Sequence, residues 1–186
     1  MLSEPSRRLA HDHDALNKLL RQLKDALARS DLAASHAKLD LFWAKLAVHI
    51  RAEHLHLFPA ILENSNGGSM ISPIQKPSAV EARWAIGRLR ADHEFMMHEL
   101  ARLIESLRNL SGSDRGSIAR ELAAILNVIV ELEKRLVIHN EFEETQIYRW
   151  TASVLNEQAQ AELARQIERE LTNRPSRFPL DVWDNE

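Results

Sequence analysis

Along four stretches of the chain, apolar residues recur at spacings of three and four, the seam of a helix packed in a bundle, and every seam is broken by a histidine. From about Ser6 to Arg29 the seam reads Leu9, His13, Leu16, Leu20, Leu23, Leu27. From about Leu32 to Glu63 it reads Leu39, Phe42, Leu46, His49, Glu53, His56, Ala60, with Pro59 expected to bend or loosen the last turns. The third, about Ser78 to Leu110, carries Ile86, Leu89, His93, Met96, Leu100, Leu103 and Leu107. The fourth, about Asp114 to Trp150, carries Leu122, Ile125, Ile129, Leu132, Leu136, His139, Glu143, Gln146 and Trp150. Alternating strand patterns are absent. Glycine and proline cluster between the stretches, at Gly67-Gly68 to Pro73 and Pro77, at Gly112 to Gly116, and in the tail at Pro175 and Pro179.

The interruptions follow a rule. Stretches one and three each give one inward histidine. Stretches two and four each give His-x-x-x-Glu, whose members lie one above the other on a helix face. Local sequence repeats as well: Ala10-His11-Asp12-His13-Asp14 resembles Arg90-Ala91-Asp92-His93-Glu94, and Leu46-Ala47-Val48-His49 resembles Leu136-Val137-Ile138-His139. The chain therefore reads as a duplicated helical hairpin. The midpoint of His13 and His49 falls at residue 31, in the Ser30-Asp31 connection, and the midpoint of His93 and His139 falls at Gly116, which closes the connection from Ser111. Folding at those points levels each histidine pair. The expectation is an all-α fold, an antiparallel up-down-up-down four-helix bundle over residues 5–150. A short additional C-terminal helix over Asn156 to Leu171 and an extended tail to Glu186 make up residues 151–186. The six polar residues would then meet in the bundle core, where such cofactor sites are built.

Burying two carboxylates and four imidazoles without a cation costs several kcal/mol per unpaired ion, a large share of a domain's stability of about 5–15 kcal/mol. A metal pair relieves that cost. With no cysteine in the sequence, metal ligation must come from nitrogen and oxygen. The same spacing in His36 with Asp40 and in Glu94 with His98 lies off the seams and reads as solvated pairs, and His11 and His54 read as surface. His56 and Gln146 fall one turn beyond the glutamates, as outer partners or pocket edges. Trp43, Phe95, Met96, Met97 and Trp150 read as core or as the lining of a dry pocket. The net charge of −3, with no Lys/Arg block, offers nothing to nucleic acid. No apolar run is long enough to cross a bilayer. The charged start without a secretory pattern makes a cytoplasmic protein the expectation.

These residues resemble the hemerythrin-like, or HHE cation-binding, family, whose pattern is a lone histidine, His-x-x-x-Glu, a second lone histidine and a second His-x-x-x-Glu. The resemblance runs over about residues 5–150. It includes Asp12-His13-Asp14, His49-Ile50-Arg51-Ala52-Glu53 with Leu57-Phe58-Pro59, Asp92-His93-Glu94, and His139-Asn140-Glu141-Phe142-Glu143-Glu144 with Ile147-Tyr148. It implies metal ligation by His13, His49, Glu53, His93, His139 and Glu143, with Glu53 and Glu143 bridging two iron ions in an oxo- or hydroxo-bridged centre. Ligand type alone also suits zinc or manganese, so the choice of iron comes from the resemblance. The sequence departs from the oxygen-carrying hemerythrins at Met97, where those have a second histidine, and at Glu143, where they have a His-x-x-x-x-Asp spacing. Reversible oxygen transport is correspondingly disfavoured.

The leading functional expectation is a di-iron binding or sensing protein that takes a small gaseous ligand, dioxygen or nitric oxide, or responds to redox state. The alternative is a stress protein acting in iron-sulfur cluster repair or iron delivery, or reducing peroxide or nitric oxide. A third reading keeps the bundle purely structural. No protein partner is legible.

Overall fold

The computed structural model describes residues 2–65, 76–110, 114–179 and 182–183. The expected turn residues Gly67, Gly68, Pro73, Ser111, Gly112 and Ser113 lie outside the described residues. Those described are helical and contain no strand: α1 Glu4–Ala28, α2 Leu32–Ala52, a π turn Glu53–Leu57 continuing into α3 Phe58–Asn64, α4 Ala79–Asn109, α5 Arg115–Phe142, a second π turn Glu143–Ile147 continuing into α6 Tyr148–Val154, and α7 Glu157–Leu171. No described helix is long and apolar enough to cross a membrane.

Local chemistry sets the ends. Ser30, at φ 54°, occupies the left-handed position after α1, with Asp31 N–H bonded to Ala26 O and Ser30 N–H to Leu27 O, which satisfies the last carbonyls of the helix. Asp31 then accepts from Ala34 N–H and caps α2, so the break between α1 and α2 falls at the Ser30-Asp31 connection used to level His13 with His49. Ser78 and Glu81 form a reciprocal capping box ahead of α4. Asp114 caps α5 by accepting from Gly116 and Ser117, and Asn156 caps α7 by accepting from Ala159.

Contacts divide the chain into two compact units whose boundaries cross the long helices. Unit 1 comprises Met1–His13, Val48–His93 and Ile138–Asn173; unit 2 comprises Asp14–Ala47, Glu94–Val137 and Arg174–Glu186. Unit 1 packs Leu9, Phe58, Ile61, Leu89, Ile147 and Tyr148 with Leu163 and Ile167 from α7, so the C-terminal helix expected from its apolar face is part of this core. Arg8 pairs with Glu168, and Arg51 with Glu170, to hold α7 in place.

Unit 2 has an apolar interior: Leu16, Leu19, Leu23, Phe42, Leu100 and Ile129 are buried. A void of about 10 Å³ among Leu20, Phe42, Leu46, Met96, Leu100, Ile129, Leu132 and Leu136 offers a water no polar partner and stays dry. The tail packs in this unit through buried Phe178 and Trp183. Arg177 takes Asp40, so Asp40 pairs with the tail and not with His36 as its spacing suggested.

Candidate metal centre

All six predicted ligands fall in unit 1, and all six are buried, Glu53 and Glu143 completely. His13 on α1 meets His49 on α2 with Nε2 to Nε2 at 3.1 Å, and His93 on α4 meets His139 on α5 at 2.9 Å. The glutamates connect the pairs. Glu143 Oε2 is 3.3 Å from His13 Nε2, while its Oε1 is 3.1 Å from His139 Nε2. Glu53 Oε1 is 3.7 Å from His49 Nε2, and its Oε2 is 3.4 Å from His93 Nε2. Each carboxylate thus turns one oxygen toward each histidine pair. Glu143 completes a compact three-residue group with either pair, and Glu53 faces both from a slightly greater distance.

The seam reading fails just past these glutamates. A π turn begins at each one, closed by Phe58 N–H to Glu53 O and by Tyr148 N–H to Glu143 O, and inserts one extra residue into the helical register. The buried face therefore continues through Leu57 and Ile61, where periodicity proposed His56 and Ala60, and through Ile147, Tyr148 and Thr151, where it proposed Gln146. His56 points away to Glu170 of α7, at 3.9 Å. Pro59, expected to loosen the helix, sits in the first turn of α3, where a missing amide hydrogen is tolerated. The matching π turn at Glu143 has Arg149 in that place, so proline is not its cause.

Further side chains, from α1, α4, the two π turns and α6, face the six predicted ligands. Glu144 Oε1 lies 2.9 Å from His13 Nδ1, and Asp12 Oδ2 lies 2.8 Å from His49 Nδ1. In the other pair His54 Nε2 lies 3.0 Å from His93 Nδ1, while Asp92 stands 3.5 Å from His139 Nδ1. His54, expected at the surface, lies in the π turn and is half-buried against the site. Tyr148 donates its hydroxyl to Glu53 Oε1 at 2.9 Å, with His13 Nε2 at 3.2 Å. The Asp-His doublets at residues 12–13 and 92–93 were visible as repeats and could have pointed to the two aspartates. Tyr148 stands within the motif that carries the family resemblance, with no role assigned to it there, and nothing local signals His54. Elsewhere, Trp150 is plain core of unit 1, Met96 lines the void of unit 2, and exposed Phe95 carries Arg135 over its ring.

The donor set tests well against a metal. Asp12 and Glu144 accept from the Nδ1–H groups of His49 and His13, which turns the two Nε2 atoms toward one another. Two nitrogens bound side by side on one ion at about 2.1 Å lie about 3 Å apart, close to both observed spacings. Glu53 Oε2 and Glu143 Oε1 have no hydrogen-bond partner among the described residues, which is costly for buried carboxylate oxygens unless a cation faces them. Protons partly fill that role in the metal-free site. Burial pushes His13 down, but hydrogen bonds to Glu143 and Glu144 outweigh it and hold its pKa up at about 10. Burial likewise opposes charge on His139, and Glu143 raises it. Burial and the neighbouring Glu143 push Glu53 up to about 7. Glu143 is drawn well below the carboxylate range by His139 and His13 despite its burial. Burial drives His93 well below the usual imidazole value.

Residues 1–71 match the family model of the hemerythrin HHE cation binding domain. The hemerythrin match takes in His13, His49, Glu53, Asp12, His54 and Phe58, and the internal repeat supplies the corresponding elements after residue 71. No curated protein and no solved structure gives a significant match. Cation binding is what the HHE match and the two His/Glu groups jointly support.

Proposed function

We propose that this chain is a cytoplasmic di-iron protein of the hemerythrin-like kind that binds or responds to dioxygen, nitric oxide or redox state. In this reading residues 5–150 form an antiparallel four-helix bundle around the site. His13 and His49 hold one iron, His93 and His139 hold the other, and Glu53 and Glu143 span both. One observation carries the proposal: two pairs of imidazole Nε2 atoms face one another at 3.1 and 2.9 Å, and two completely buried carboxylates each direct one oxygen at each pair. When bound, iron held by imidazole and carboxylate can coordinate small ligands and change oxidation state. The chain's own groups keep the ligand nitrogens aimed, hold Glu53 through Tyr148, and exclude water from the carboxylates.

The test is metal content together with the ultraviolet-visible spectrum of protein from iron-supplemented cells, before and after reduction and exposure to air or nitric oxide. Two irons per chain is expected, with near-ultraviolet bands that shift on exposure to gas and weaken in His49→Ala. Less than one metal per chain, unaltered by His49→Ala or Glu143→Ala, would sink the reading. Sustained consumption of peroxide or nitric oxide would transfer it to the catalytic alternative.

A further inference from the structure

The internal repeat makes each half of the site a control for the other, and the halves differ in their outer contacts. Corresponding positions are Asp12 and Asp92, Glu144 and His54, Tyr148 and Phe58. The rings of the last two occupy equivalent places, Tyr148 stacked at 5.7 Å on His13 and Phe58 at 6.2 Å on His93. Around His13 and His49, both Nδ1 atoms meet a carboxylate within 2.9 Å. Around His93 and His139 neither does: Asp92 is too distant to leave His139 Nδ1 hydrogen-bonded among the described residues, and His93 Nδ1 meets another imidazole.

The difference decides tautomers. A carboxylate only accepts, so Asp12 and Glu144 fix a proton on Nδ1 and, once a metal displaces the second proton held on His13, direct the Nε2 lone pairs of His49 and His13 at it. An imidazole can donate or accept. When His54 Nε2–H donates to His93 Nδ1, neutral His93 carries its proton on Nε2 and cannot ligate. Only the opposite arrangement is competent. A carboxylate also makes the histidine it orients a stronger donor, and removing such a partner typically lowers metal affinity 10–100-fold.

We infer that the two metal subsites are unequal and fill in order, the His13/His49 subsite first and the His93/His139 subsite second, with Glu144 and His54 as the positioning residues that set the difference. The inference rests on the two-metal reading above. The expected gap is about 10-fold in dissociation constant, the lower end of what one outer carboxylate contributes.

The wild-type protein, stripped of metal and labelled with ¹⁵N at histidine, is titrated with Zn²⁺ as a diamagnetic ion while imidazole nitrogen signals are followed. Over the first equivalent, Nε2 of His13 and His49 should move to metal-bound positions while His93 and His139 retain most of their free signal; the second equivalent should convert those. In Glu144→Gln the order should weaken or vanish, and in His54→Glu the second subsite should tighten toward the first. Simultaneous conversion of all four histidines, or His93 and His139 first, overturns the inference while leaving the two-metal reading intact. Binding of fewer than one ion overturns both. A preference unchanged in folded Glu144→Gln and His54→Glu proteins removes the assigned cause.

Discussion

Unit 2 buries Leu16, Leu23, Phe42, Leu100 and Ile129 around a dry void, whereas unit 1 buries four histidines and two glutamates among its apolar residues. Both interiors are built on α1, α2, α4 and α5. The apolar interior gains from every contact it makes. The polar one confronts two carboxylates with each other, raises Glu53 to about 7, and holds a proton on His13 up to about 10. Unit 2 thus carries stability that depends on no ligand, while unit 1 is arranged for a cation and is strained electrostatically without one.

The most severe break in this comparison is Glu143→Ala. Glu143 serves both histidine pairs, so we expect loss of nearly all bound metal, measured by metal analysis of folded protein, whereas His49→Ala should retain about half. Retention of two metals in Glu143→Ala would refute its spanning role. Next in size is Leu23→Ala, at a fully buried position of unit 2, which should cost about 2–5 kcal/mol in denaturant unfolding. The loss should be the same for metal-free and metal-loaded protein if unit 2 is indifferent to the ion.

Glu53→Gln is smaller and changes sign. It keeps an acceptor for Tyr148 and removes one buried charge, so metal-free protein should gain on the order of 1 kcal/mol. The metal-loaded form should lose both stability and affinity. Melting temperatures with and without metal test this, and equal shifts would mean that Glu53 is not under charge strain. The last of these effects is that of pH. The stabilising proton on His13 is fully present below its ordinary 6.5 and is lost as pH rises through about 10. Glu53, raised from 4.5 to about 7, likewise costs stability as it ionises between those values. Metal-free protein should therefore melt lower as pH rises from about 7 to about 10, above the range in which lowered His93 acts in the opposite sense. Metal affinity should move the opposite way, because the ligands must lose protons to bind. Calorimetry in buffers of different ionisation enthalpy should show proton release on metal uptake, and none at neutral pH would contradict the held protons.

The repeat, the helical class, the turn at Ser30-Asp31 and the six inward polar residues are all legible in sequence. Seam periodicity and the spacing of histidine to glutamate are local properties of a chain at 3.6 residues per turn. Those rules hold only while the register is regular. At Glu53 and Glu143 the backbone takes a wider turn, and from there the expected His56 and Gln146 give way to Leu57 and Ile147. No pattern of residue types distinguishes the two cases, since Pro59 follows one π turn and Arg149 the other. Only the tertiary structure decides that Glu144 meets His13, 131 residues away, that His54 meets His93, and that Tyr148 reaches Glu53. As far as Glu53 and Glu143, sequence determined which side chains face the interior, because burial of a regular helix face is periodic. Which atoms then meet across different helices depends on register shifts and packing that no local period records.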